Sequence, residues 1–153
     1  QMYGDKGEVP ETDEDVVIPI GKADIKREGS DVTIVSFGKI IKEAYKAADE
    51  LAKEDISAEV IDLRTVRPLD YDAILESVKK TNRLVILEEA WPFGNVSTEI
   101  TYKVQEEAFD YLDAPIIKIN TADTPAPYSP VLLKEWLPSS ENVVKAVKKV
   151  MYK

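Results

Sequence analysis

The side chains able to do chemistry in this sequence are few, and most of them are carboxylates. Glu88 and Glu89 stand side by side after the apolar run Leu84–Leu87, where paired acids could share general acid–base work. Neighbours in a strand point to opposite faces, so the two should not serve one site, and a structural or interface role is favoured. Gly38 and Gly94 each precede a helical pattern and could let backbone amides approach an anion. Neither belongs to a GxGxxG or phosphate-loop motif, so a turn is the better reading. Arg64 and Arg67 follow a strand and are placed for a pocket at the sheet edge. Trp91, Pro92 and Phe93 form an aromatic cluster that either anchors an interface or packs as a small satellite cluster under its own loop. Asp113 lies between a helix and a strand and could shape the turn before Pro115.

What is missing narrows the chemistry further. The 153 residues contain neither His nor Cys, which removes a Ser-His-Asp triad, cysteine nucleophiles, disulfides, and histidine or thiolate metal ligands from this chain. The net charge of -9 argues against a nucleic-acid surface, which needs clustered Lys and Arg. Much of that charge is local: residues 1–15 hold six acids against one lysine. With Gly4, Gly7 and Pro10 among them, this composition favours a solvated linker over residues 1–17, ahead of one domain over 18–153. Residues 1–15 have no apolar centre and do not read as a secretory signal. No apolar run approaches the ~20 residues that span a bilayer.

The elements that must position these residues follow from periodicity. Residues 58–70, AEVIDLRTVRPLD, carry a short apolar strand through Val60, Ile61 and Leu63 that turns polar at Arg64. Pro68 biases Arg67 away from the helical region, and Asp70 can cap a helix marked by Ile74, Leu75 and Val78. Upstream, residues 23–27 alternate and meet a turn at Gly29-Ser30 before the strand over 32–37. So short a link makes those two strands antiparallel. Ile40, Ala44, Ala47, Ala48 and Leu51 recur at helical spacing and complete a βαβ unit with the strand at Val60. Leu84–Leu87 reads as the most buried strand. Val96, Ile100, Val104 and Ala108 define a further helix, and residues 115–120 a last strand. Pro125, Pro127 and Pro130 interrupt regular structure across 121–130. Ser139 or Ser140 can cap a terminal helix with Val143, Val147 and Val150 on one face. The expected fold is a three-layer α/β/α sandwich: four main helices around a mixed five-stranded sheet, mostly parallel with the first strand antiparallel.

VIDLRTVRPLD, followed by RLVILEEAWP at 83–92 and YLDAP at 111–115, resembles the C-terminal domain of the beta subunit of thiamine-diphosphate-dependent 2-oxo acid dehydrogenases, which is related to the last domain of transketolase. IPIGKADIKREGSDVTIVSFG at 18–38 extends the resemblance, and MYGDKGEVPE looks like the connection from that family's preceding domain. Trp91-Pro92 resembles pyruvate-specific members more than branched-chain ones. Where related beta subunits often carry glycines after Trp-Pro, this chain reads Gly94-Asn95-Val96-Ser97.

The resemblance implies an intact parent that uses thiamine diphosphate and magnesium to decarboxylate a 2-oxo acid and acylate lipoamide. The catalytic glutamate would lie in the preceding domain and the metal-diphosphate site in the alpha subunit, so no catalytic, cofactor or metal residue carries over. It further implies that Asp113 and the terminal carboxylate of Lys153 dock the subunit-binding domain of the dihydrolipoamide acyltransferase, and that beta subunits pair partly through this domain. A bacterial cytoplasm is the expected setting, with the mitochondrial matrix as the alternative. Two classes of function stand: an assembly and docking domain of such an enzyme, with Trp91 and Phe93 at a subunit interface, or an autonomous small-ligand or regulatory domain with a sheet-edge pocket at Arg64 and Arg67.

Overall fold

The computed structural model describes residues 5–7, 11 and 16–153. Most of the acidic stretch read as a linker lies outside the described residues. Five strands, β1 (Asp24–Arg27), β2 (Val32–Ser36), β3 (Ala58–Asp62), β4 (Leu84–Leu87) and β5 (Ile117–Ile119), form one sheet in the order β1-β3-β2-β4-β5. β3, β2, β4 and β5 are parallel, and β1 runs antiparallel on β3. The expected mixed sheet is therefore present.

Period-two alternation divides the central strands between two cores. Ile34, Val60, Val85 and Leu87 face α1 (Ile41–Ala52) and α5 (Ser140–Val150), where Ala44, Ala47, Ala48 and Val147 bring the helices close. Val35, Ile61, Leu84 and Ile86 face α2 (Tyr71–Thr81) and α3 (Val96–Ala108) through Ile74, Val78, Ile100 and Val104. Sheet and helices thus make three layers. A buried polar island interrupts the second core: the Thr33 hydroxyl lies 2.6 Å from both the Ser77 and the Thr81 hydroxyls, so each buried group has a partner.

Two features go beyond the expected pattern. β1 does run antiparallel, but its hydrogen-bonded neighbour is β3 and not β2, to which the short turn joins it. The link must therefore cross over the start of β3, and Gly29 makes this possible. A Cβ there would lie 2.2 Å from the Glu59 nitrogen and 2.3 Å from the Ala58 carbonyl carbon, which are backbone atoms that cannot move aside. Second, the proline-rich stretch leads into a short helix, α4 (Pro130–Trp136). Pro130 stands at its first turn, where a missing N–H costs nothing and the ring's fixed φ suits the helix.

Side-chain caps close three of the other helix starts, those of α2, α3 and α5. Asp70 accepts from the Ala73 N–H at 3.3 Å, Asn95 from the Thr98 N–H at 2.9 Å, and Ser139 forms a capping box with Asn142. Among the described residues no helix is long and apolar enough to cross a membrane.

Candidate functional site

The loop from β3 to α2 and the loop from β4 to α3 both leave the carboxyl edge of the sheet, where ligands and partners meet open α/β folds. Between them runs an open groove of about 1040 Å³ whose lining includes Arg67, Tyr71, Glu88, Trp91, Phe93 and Glu99. Short-range bonds set its first wall. The Thr65 hydroxyl donates to the Pro68 carbonyl at 2.9 Å and accepts from the Gly21 N–H at 3.0 Å, holding residues 64–68 against the chain that leads into β1. Asp70 adds a second tie by accepting from the Ala23 N–H at 3.0 Å.

The second wall is built on Glu88. Its buried carboxylate accepts from the Val96 and Ser97 N–H groups at 3.2 and 2.9 Å, joining the end of β4 to the start of α3, while Glu89 is exposed. A carboxylate at a helix N-terminus satisfies otherwise orphaned donors, so Glu88 does structural work, and the two acids do not share one site. Gly38 and Gly94 adopt φ of 67° and 63°, the left-handed turn conformation that favours glycine.

Trp91 is tied and Phe93 is free. The Trp91 indole donates to the Thr124 carbonyl at 3.0 Å although 55% of the residue is exposed, whereas Phe93 is 91% exposed. At the groove mouth the Tyr71 hydroxyl meets Glu99 at 3.3 Å, and burial, then the Glu99 charge, push its phenol above the usual tyrosine value. Arg67 lines the groove, but Arg64 is turned towards β1 and pairs with Asp24, so the two arginines are not brought together.

Asp113 lies at the opposite, amino edge of the sheet. Its carboxylate pairs with Arg83 at 3.1 Å, its N–H donates to the Asn82 carbonyl at 2.9 Å, and its carbonyl accepts from the Tyr152 hydroxyl at 3.0 Å. Tyr152 precedes Lys153, whose N–H donates to the Lys148 carbonyl at 3.0 Å, so Asp113 and the end of the chain occupy one surface. Sequence reasoning missed Arg83 and Tyr152 here, and Tyr71 and Glu99 in the groove. Their only sequence signal is proximity to a helix or strand end.

Thiamine diphosphate does not fit the groove: the α3 amides that would meet a diphosphate are taken by Glu88 and Asn95, and Glu88 and Glu99 would repel it. Among the described residues no three metal-ligating side chains converge.

A family profile described as "Transketolase, C-terminal domain" matches residues 21–143. The pyruvate dehydrogenase E1 component subunit beta of Rhizobium meliloti (strain 1021) is 53% identical over 152 residues, covering 99% of this chain and 33% of its own length. The mitochondrial subunit of the same name from Dictyostelium discoideum is 50% identical over 140 residues, covering 92% of this chain and 39% of its own. This chain thus spans between a third and two fifths of the length of these relatives. Among solved structures, one described as a split gene transketolase, inactive beta4 tetramer, superposes with a TM-score of 0.78 at 30% identity, over 94% of this chain and 46% of that one.

Proposed function

Since the chain belongs to the transketolase C-terminal domain family, we propose that it is the assembly and docking domain of the beta subunit of a pyruvate-type 2-oxo acid dehydrogenase complex. The observation that carries this reading is the 53% identity, spread over 99% of the chain, to a pyruvate dehydrogenase beta subunit. The intact parent would decarboxylate a 2-oxo acid and acylate lipoamide. Thiamine diphosphate and magnesium would supply the carbanion chemistry there, bound by the preceding domain and the alpha subunit. This chain's residues would do two other things. Trp91 and Phe93 would meet a second beta subunit across the carboxyl-edge groove, a reading supported by the exposure of Phe93 and by the tetrameric description of the transketolase relative. Asp113 and the Lys153 carboxylate would hold the subunit-binding domain of the dihydrolipoamide acyltransferase, and their shared surface supports that pairing. We assign residues 1–17 to the linker and 18–153 to the domain, and place the parent in a bacterial cytoplasm, with the mitochondrial matrix as the second setting.

The test is activity by parts. The purified 153-residue chain with thiamine diphosphate, magnesium and pyruvate should give neither heat of cofactor binding nor decarboxylation. The full-length beta subunit co-purified with its alpha subunit should give both. Turnover by the chain alone, or none by the full assembly, would overturn the reading.

A further inference from the structure

β2 and β4 are adjacent, and their outgoing connections diverge, β2 through α1 to β3 on one side and β4 through α3 to β5 on the other. Their carboxyl ends therefore form the topological switch point at which open α/β sheets place ligands. The groove described above lies on the α2/α3 side of this edge. On the α1/α5 side a second cavity, of about 420 Å³, opens between the start of α1, the end of α4 and the start of α5. This volume falls within the range of small-molecule sites.

Its charge is opposite to that of the chain. Lys39, Lys42, Lys46 and Lys134 line it against Glu43 and Glu89, in a protein of net charge -9. Glu43 is already spent: its two oxygens accept from the Lys46 ammonium at 2.6 Å and from the Ser140 N–H at 3.0 Å, which fastens α1 to α5. Lys42 meets the Asp5 carboxylate at 2.5 Å, so an oxyanion from a distant part of the chain already reaches the rim. Lys39 and Lys134 enter no ion pair among the described residues. The rest of the lining is Ser139 and three apolar residues, with Ile40 and Pro138 buried and Leu137 half-buried.

We propose that this cavity binds an organic phosphate, a phosphomonoester with a compact apolar body, holding the phosphate with Lys39, Lys42 and Lys134 and the body against Ile40, Leu137 and Pro138. Three ammonium groups on flexible stems suit a dianion better than a single carboxylate, and the apolar floor gives an organic ester an advantage over the free ion. The site is independent of the assembly and docking role, since none of its residues belongs to either of those surfaces.

Phenyl phosphate is the probe. Titrated into the ¹⁵N-labelled chain, it should shift the amides of Lys39, Ile40, Ser139 and Ser140 with a Kd below about 1 mM. Lys39→Met/Lys134→Met should weaken binding at least about tenfold, because two charge-assisted hydrogen bonds are lost. Lys149→Met, a charge change in the last turn of α5, should leave the Kd unchanged, and Asp5→Asn should tighten it by releasing Lys42. An unchanged melting temperature in the double variant will show that the fold is kept. The proposal is overturned by shifts scattered away from these residues, by equal weakening in Lys149→Met, or by benzoate or inorganic phosphate binding as tightly as phenyl phosphate.

Discussion

Trp91 and Trp136 donate their indole N–H groups to one acceptor, the Thr124 carbonyl, at 3.0 and 2.9 Å. A carbonyl oxygen has two lone pairs and can satisfy both. The shared acceptor ties the loop after β4 to α4 across the irregular stretch between β5 and α4. Each single change to Phe should cost about 0.5–1.5 kcal/mol in urea denaturation, since the other indole still satisfies the carbonyl. The double variant should lose more than the two costs added together, because only then is the acceptor left without an indole partner. Strict additivity would show that the two bonds do not act as a unit.

Phe93 contributes nothing comparable to the fold, being 91% exposed. Phe93→Ala should therefore leave the melting temperature within a degree or two, yet weaken self-association of the full-length beta subunit. Burying such a ring against a partner contributes about 1.5–3 kcal/mol, or roughly ten- to a hundredfold in the dissociation constant. Sedimentation over a range of concentrations, with Trp91→Ala alongside, reads the effect. Identical profiles for wild type and both variants would remove the pair from the interface.

A third prediction concerns the ion pair of Glu59 and Lys80. The Glu59 side chain is 1% exposed, while that of Lys80 is 44% exposed and also reaches Glu28. Burial works to raise the Glu59 carboxyl, but hydrogen bonds from the Lys80 ammonium and the Gly29 N–H outweigh it and hold it below the usual 4.5. Lys80 is raised above 10.5, chiefly by its bond to Glu59. Glu59 thus adds stability above pH 4.5 that is lost as the pH falls through its folded value. Lys80 adds stability below pH 10.5 that is lost as the pH rises through its own folded value. Lys80→Met should cost about 3–5 kcal/mol at pH 7 by leaving a buried charge unpaired, and Glu59→Gln clearly less, because the ammonium can turn to water. The deficit of Lys80→Met should shrink as the pH falls, because without the Lys80 bond burial raises the Glu59 carboxyl and the variant takes up the proton while the wild type still holds Glu59 charged. Denaturant titrations at pH 4 and pH 7 check both points.

Gly29→Ala should be among the most damaging small substitutions in the chain. The added methyl meets the backbone of Ala58 and Glu59 at under 2.5 Å, so β1 must leave its place beside β3. A loss of at least about 3 kcal/mol is expected, at the severe end for overpacking, because the obstacle is main chain. Gly7→Ala, where a Cβ meets nothing, is the control. Chemical denaturation of the two variants should separate them clearly.

Asp113→Ala should weaken docking of the acyltransferase's subunit-binding domain to the intact parent and spare the fold. The turn at this residue is held by main-chain atoms, through the Asp113 N–H and carbonyl. The carboxylate is 56% exposed and, among the described residues, pairs with Arg83 alone, an exposed-pair contribution of about 0–1 kcal/mol. Removing one partner of a buried interfacial charge pair costs about 2–5 kcal/mol, whereas a rim pair changes mainly the on-rate. Calorimetric titration at low and high salt measures the difference. Unchanged affinity together with a lowered melting temperature would make Asp113 a turn former alone.

Much of this architecture was legible because it is locally encoded. Leu84–Leu87 is four apolar residues in a row, and all four are buried in β4. The spacing of Ile40, Ala44, Ala47, Ala48 and Leu51 fixed the inner face of α1, and Asp70 and Ser139 marked the helix starts that they cap. Such signals involve residues a few positions apart, whose geometry the backbone itself constrains. The prolines did mark the irregular stretch after β5, but the last of them, Pro130, also begins α4, since the ring that interrupts a helix interior suits its first turn.

The sequence by itself determined the mixed α/β class, the faces of the helices, the absence of His and Cys chemistry, and the family to which the motifs belong. The tertiary structure alone decided that β1 pairs with β3, that Arg67 shares a groove with Trp91 while Arg64 turns to Asp24, and that Asp113 meets the end of the chain through Tyr152. It also decided that Lys134 joins Lys39, Lys42 and Lys46 around one cavity. The physical reason is common to all four. Each depends on contacts between residues far apart in the chain, set by which strands lie adjacent and which loops leave the same edge of the sheet, and no local preference of either partner encodes that adjacency.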